Sequence, residues 1–230
     1  RADRNPPPTL PVARGWHKRR RPRWPALAAI IDGHYPVRHC SMDHGRTAEC
    51  AALGAAFDAY AARWPQEAIV VEHFRQLLAE PTLAFERERL AGHFTASAWL
   101  VSDDGTRALL THHRKLDRWL QPGGHADGDV DLARVALKEA EEESGLRALA
   151  LLPGLFDLDR HWIPEHKGVP AHWHYDVRFV VHAGSDERFV VSDESHALAW
   201  RDIAEIAGDA GADDSVRRMA RKWLAARAAR

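Results

Sequence analysis

Glu139, Glu142 and Glu143 stand at positions i, i+3 and i+4 in the run Lys-Glu-Ala-Glu-Glu-Glu-Ser-Gly-Leu. A helix advancing about 100° per residue places these three carboxylates on one face. Like charges that close oppose helix formation, so the arrangement asks for a neutralising partner. A divalent ion such as Mg²⁺ fits, because hard cations take oxygen ligands and are bound together with substrate phosphates. Just upstream lie Gly123-Gly124-His125 and an acidic loop reaching Asp131. A glycine there lets the backbone approach an ion with no Cβ in the way. Taken alone, a run of glutamates is usually a solvated helix face. The glycines before it and Gly145-Leu146 after it argue for the metal site.

The whole stretch, GGHADGDVDLARVALKEAEEESGL, resembles the signature of the Nudix hydrolase family. That signature runs glycine, five residues, Glu, seven residues, then Arg-Glu-apolar-x-Glu-Glu-x-Gly-apolar. Gly124 takes the first glycine, Glu139 the glutamate after the arginine position, and Ala140 the apolar place. Glu142 and Glu143 take the paired glutamates, and Gly145 and Leu146 close the pattern. Two positions depart: Val130 stands where the family has its first Glu, and Lys138 where it has Arg. In the family those two pair and brace the loop against the helix. Asp129 or Asp131 is the expected substitute partner for Lys138, although lysine lacks the bidentate fork of arginine.

The resemblance implies a Mg²⁺ or Mn²⁺ site made by Glu139, Glu142, Glu143 and the carbonyl of Gly123. It implies a pyrophosphohydrolase in which water attacks one phosphorus of a diphosphate. Bound divalent ions neutralise the phosphate charge and lower the pKa of water. The base is then Glu142 or Glu139 of the box, or Glu194 from the loop entering a late strand. The fold implied is α+β, an α/β/α sandwich with a mixed sheet.

Further groups are placed to meet substrate. His125 directly follows the double glycine and is expected to line the site. His112, with Arg114 and Lys115 close behind it, ends a strand where imidazole and cations can contact phosphates. For any one of these, a plain strand position is the competing reading. His161, His166, His172 and His174 surround a Gly/Pro-bearing loop, and their spacing makes no zinc motif. Trp119, Trp162 and Trp173 are able to stack a nucleobase, though packing is the ordinary role of each.

The elements that must position these groups follow from periodicity. Residues 1–41 hold Pro6-Pro7-Pro8 and the basic run from His17 to Arg21, a composition that cannot bury a core. They are expected to be disordered or outside the functional unit, with Met42 a candidate start. Residues 42–92 read as two helices broken at Pro65. Ala51, Ala52, Ala55, Ala56, Ala59 and Tyr60 mark the first helix; Ile69, Val70, Phe74, Leu77 and Leu78 mark the second. Their expected role is a structural cap or a contact between two copies of the chain. Residues 93–230 carry the remaining elements. Phe94 to Val101 reads as a strand, Asp103-Asp104-Gly105 as a hairpin turn, and Arg107 to His112 as the return strand. Further strands are expected at Leu155–Trp162, His174–His182 and Ala197–Trp200. Asp213 caps a last helix with Val216, Met219, Trp223 and Leu224 inward.

Composition narrows the partners. The 230 residues carry a net charge of -1, which calls for neither nucleic acid nor an anionic membrane. Two cysteines, Cys40 and Cys50, make no disulfide framework and fit a reducing cytoplasm. The expectation is a small-molecule nucleotide diphosphate substrate: a nucleoside triphosphate, ADP-ribose or a nucleotide sugar. Two other readings stand beside it. A nucleotide-sensing module would keep the fold without turnover, and Val130 and Lys138 lend it some support. An isoprenoid diphosphate isomerase needs a cysteine in the cleft, whereas Cys40 and Cys50 both precede the expected domain.

Overall fold

The computed structural model describes residues 44–80, 83–113, 117–166, 168–190 and 195–229. The basic and proline-rich leader, Arg114, Lys115 and Glu194 lie outside the described residues.

Two helices come first, α1 (His44–Arg63) and α2 (Ala68–Ala79), joined by a short 3₁₀ turn that begins at Pro65. Proline at the head of such a turn loses no hydrogen bond, because that N–H has no helical partner. The buried stripe of α1 is Leu53, Phe57 and Tyr60, not the alanines. Ala51, Ala55 and Ala59 face solvent. The alanine periodicity marks the helix, while Tyr60 and the larger side chains Leu53 and Phe57 supply its buried face, since they bury more apolar area per position. In α2 the inner residues are Val71, Phe74 and Leu77, and Ile69 is exposed.

An eight-stranded mixed sheet follows. Its strands are β1 (His93–Val101), β2 (Arg107–His113), β3 (Arg118–Leu120), β4 (Gly123–His125), β5 (Ala150–Leu151), β6 (Asp157–Ile163), β7 (His172–His182) and β8 (Ser195–Asp202). Strand β1 is buried along its whole length, parallel to β7 on one side and antiparallel to β4 and β2 on the other. Between β4 and β5 runs α3 (Leu132–Ser144); α4 (Ile203–Gly208) and α5 (Asp214–Ala228) close the chain. Asp213 does cap α5, its side chain accepting from the Ser215 N–H. Strand β4, the extra turn of β7 back to His172, and α4 were not legible as elements in the sequence.

Side chains alternate across β1. Phe94 and Ala96 join the core formed with α1, α2 and α3. Trp99 and Val101 belong to the opposite layer, with Met219 and Trp223 of α5. The result is the expected α/β/α sandwich. The polar members of that second face, His93, Thr95 and Ser97, are buried as well. Thr95 and Ser97 meet Asp176 of β7, which accepts from Thr95 Oγ1 at 3.1 Å and Ser97 Oγ at 2.8 Å.

One buried ionic network ties the leading helices to this sandwich. Asp157 of β6 is 0% exposed and receives Arg178 (3.1 Å), Arg218 (2.8 Å) and Lys222 (2.7 Å). Lys222 also reaches Glu67, at 2.7 Å, and the hydroxyl of Tyr60. Burial pushes the Asp157 carboxyl up, but hydrogen bonds from Arg218 and the charges of Arg178, Arg218 and Lys222 outweigh it and hold it below the ordinary carboxylate range.

Candidate functional site

The glutamate helix is α3. Asp131 caps its start by accepting from the Arg134 N–H at 3.0 Å, and Gly145 ends it in the left-handed region at φ 68°. Glycine is suited there because no Cβ meets the following carbonyl. Leu132, Ala133, Val135, Ala136 and Ala140 bury one side of α3. The glutamates are thereby turned toward the rim of the sheet, where β4 lies.

Gly124 of β4 lies directly against Glu139. A Cβ added at Gly124 would sit 2.6 Å from the carboxyl carbon of Glu139. Glu143 Oε1 accepts the backbone N–H of Gly123 at 2.8 Å. Glu142, one turn along from Lys138, is more open, with 58% of its side chain exposed. Glu139, Glu142 and Glu143 thus share one helix face beside a two-glycine strand. Gly123 is required for a reason the sequence did not reveal. A Cβ there would fall 2.2 Å from Ser97 Oγ of β1, so the glycine permits close strand pairing.

Lys138 departs from expectation. Neither Asp129 nor Asp131 reaches it; both turn to Arg134, at 2.7 Å and 3.9 Å. The Lys138 ammonium instead lies 3.3 Å from Glu142 and 3.8 Å from Glu139. The hydrogen bond to Glu142 and then the charge of Glu139 raise its pKa. Val130 is buried in the core shared with α1 and α2. Loop and helix are therefore braced by apolar burial at Val130 and by the Asp129–Arg134 pair. A further clasp joins Asp127 to Arg87, whose Nε donates at 2.6 Å. Gly128, at φ 85°, donates its N–H to the carbonyl of Phe85 at 2.9 Å.

The other residues singled out from sequence fall in different places. His125 leaves the glutamates and turns to His93 and His174, with ring centroids 5.2 and 5.0 Å away. His112 stacks on Trp119 and its Nε2 lies 3.1 Å from Asp117 Oδ1. Trp162 and Trp173 meet edge to face at 5.0 Å, with the Arg160 guanidinium 3.8 Å over Trp173. Cys50 packs on the core from α1. A concave space of about 520 Å³ between the 3₁₀ turn and α5 is lined by Trp64, Glu67, Arg217, Arg218 and Lys222, and no box glutamate borders it.

A glycine-edged strand, a loop and a glutamate-faced helix within an α/β/α sandwich define a class of phosphoanhydride hydrolase. The family model described as NUDIX domain matches residues 92–223, and the chain belongs to that family. It is a Nudix-type hydrolase acting on phosphoanhydride bonds. Members of the family generally use divalent metals and act on small nucleotide substrates. Solved structures similar to this chain include MutT proteins and a pyrophosphohydrolase. The MutT protein of Methanosarcina mazei is 17% identical, covering 60% of this chain and 96% of its own, with a TM-score of 0.46. The E. coli dihydroneopterin triphosphate pyrophosphohydrolase is 18% identical, covering 57% and 94%, at 0.47. The MutT NUDIX hydrolase of Burkholderia pseudomallei is 25% identical, covering 57% and 97%, at 0.44. No curated protein matches the chain. Among the described residues no helix is long and apolar enough to cross a membrane.

Proposed function

We propose that this hydrolase is a Mg²⁺- or Mn²⁺-dependent pyrophosphohydrolase that splits the diphosphate of a nucleoside diphosphate derivative. The observation that carries this reading is the joint placement of Glu139 against Gly124 and Glu143 on the Gly123 N–H. The donor set suits a hard divalent ion, being carboxylate oxygens with the Gly123 backbone alongside. Glu139, Glu142, Glu143 and the Gly123 carbonyl would hold it. When bound, the ion supplies neutralisation of diphosphate oxygens and a lowered pKa for water.

The chain's own residues do the rest. The Gly123 N–H fixes one oxygen of Glu143 and so sets the orientation of that carboxylate. Glu142, the most open of the three, is placed to take the proton from attacking water. Lys138, at 3.3 Å, balances the charge of Glu142 and would compete with an ion for that carboxylate. His112, Arg114 and Lys115 are proposed to contact substrate, and Glu194 is the base candidate outside the box; His125 turns to His93 and His174 instead.

The test is turnover across a panel of nucleoside triphosphates, ADP-ribose and nucleotide sugars, with and without Mg²⁺. Hydrolysis that needs the ion and falls at least about 10²-fold in Glu142→Gln supports the reading. The ion pairing of Lys138 with Glu142 favours a second reading, binding without turnover. Tight nucleotide binding with no product from any substrate would replace the first reading by the second.

A further inference from the structure

Three histidines far apart in sequence meet on the sheet face opposite the glutamates. His93 opens β1, His125 ends β4 and His174 lies in β7 directly beside His93 in the parallel register. One ring nitrogen from each lies within 4.8 Å of the other two. Three nitrogens converge in this way when they surround a common point.

The hydrogen bonds say which nitrogens are offered. His93 is 1% exposed, and its Nδ1 faces the Arg89 carbonyl at 3.3 Å. A carbonyl only accepts, so the proton sits on Nδ1 and the lone pair on Nε2. That Nε2 is buried and has no hydrogen-bond partner among the described residues. Leaving such an acceptor unsatisfied costs about 1–3 kcal/mol, so the site asks for a hydrogen-bond donor or an electron-pair acceptor there. His172 repeats the pattern: its Nδ1 lies 2.8 Å from the Pro170 carbonyl and its Nε2 points at His174 Nε2, 3.1 Å away. A ligating histidine characteristically donates its other ring N–H to a backbone carbonyl or carboxylate in this manner.

We infer that His93, His125 and His174 form a second metal site, for a late first-row divalent ion of the Zn²⁺ class. Imidazole nitrogen suits Zn²⁺, Co²⁺ and Ni²⁺, whereas Mg²⁺ selects oxygen. With Zn–N at about 2.0–2.1 Å in a tetrahedron, ligand nitrogens stand about 3.4 Å apart. Modest ring rotations bring the trio from within 4.8 Å to that spacing. Three protein ligands leave a fourth position, open to water or to His172.

The site is independent of the glutamates, and the experiment separates the two. The full chain is stripped with chelator, then titrated with Zn²⁺ by calorimetry and with Co²⁺ by visible absorption. The expected result is one equivalent of Zn²⁺ and an intense Co²⁺ band of low coordination number, both retained in Glu139→Gln/Glu142→Gln. Zinc affinity should fall at least 100-fold in His93→Phe, which fills the buried volume, and in the more exposed His174→Asn. Circular dichroism checks that each variant is folded. If His93→Phe misfolds, His174→Asn decides alone. Wild-type zinc affinity in folded His174→Asn overturns the inference. So does zinc binding that vanishes with the glutamates, or no micromolar zinc binding by the wild type.

Discussion

Replacing Gly124 by alanine should separate catalysis from stability. The new Cβ would lie 2.6 Å from Glu139 Cδ, 2.7 Å from Oε2 and 2.9 Å from Oε1. Ordinary contact begins near 3.4 Å, so the carboxylate must withdraw by 0.8 Å or more. The rest of α3 will not yield, because Ala136 and Ala140 are fully buried. The yielding part is the end of a flexible side chain. Gly124 is not among the glycines with positive φ, so alanine meets no backbone strain. Its smaller unfolded-state entropy offsets the crowding by about 0.4–1 kcal/mol. Net stability should therefore change by about 1 kcal/mol or less. A displacement near 1 Å at a ligand is enough to cost about 10²-fold in rate. The assay is kcat on whichever substrate the panel identifies, with Mn²⁺ affinity by calorimetry and a melting curve. Near-wild-type kcat and Mn²⁺ affinity would refute the placement of Glu139 in the metal site. A collapse in melting temperature would show that the backbone, not the carboxylate, gives way.

Lys138→Met should tighten Mg²⁺ binding by about 3- to 10-fold, since it removes a positive charge close to two ligand carboxylates, each contact worth about 1 kcal/mol in water. The gain should shrink as salt is added, and unchanged affinity at low salt would count against that placement. Asp157→Asn removes one fully buried counter-charge from a network in which Arg178 keeps Asp176 and Lys222 keeps Glu67, and should cost about 3 kcal/mol, read as a fall of about 10 °C in melting temperature. The depressed Asp157 carboxyl adds stability that is present above the unfolded carboxylate pKa, about 3.9, and lost as pH falls below it. Wild type should therefore lose stability steeply below about pH 4, and the asparagine variant less steeply; parallel pH curves would remove Asp157 as the cause.

The glutamate helix was legible because its signals are local. Three carboxylates at helical spacing, an Asp131 cap and the Gly145 stop all lie within one stretch of chain. The brace at its start was misread for the same reason. Asp129 and Asp131 were matched to Lys138 by proximity in sequence, but Arg134 lies one helical turn from the cap and reaches them first. The inner face of α1 was not legible because alanine repeats report helix formation better than they report burial. The histidine trio escaped because its geometry is set by register. His93 meets His174 through the parallel pairing of β1 with β7, and His125 arrives through β4, which was not legible as a strand. The period-two pair His172 and His174 was the available clue, but it acquires meaning only once the partner strands are known.

Strand β4 connects the two chemistries. Its residues pair with β1 as Gly123 to Ser97, Gly124 to Ala96 and His125 to Thr95. Side chains alternate across a strand, so Gly124 faces α3 with Ala96, and His125 faces the opposite side with Thr95. Glu139 can lie close to the strand because nothing projects from Gly124. His125, one residue on, carries an imidazole to the other face. A hard, oxygen-lined site and a nitrogen-lined one can thus be built back to back on three residues without sharing a ligand. This arrangement predicts that moving either site's strand residue disturbs the other. Gly124→Ala should weaken Zn²⁺ binding slightly, through the backbone it shares with His125. It should weaken Mn²⁺ binding far more, because only there does the added methyl displace a ligand.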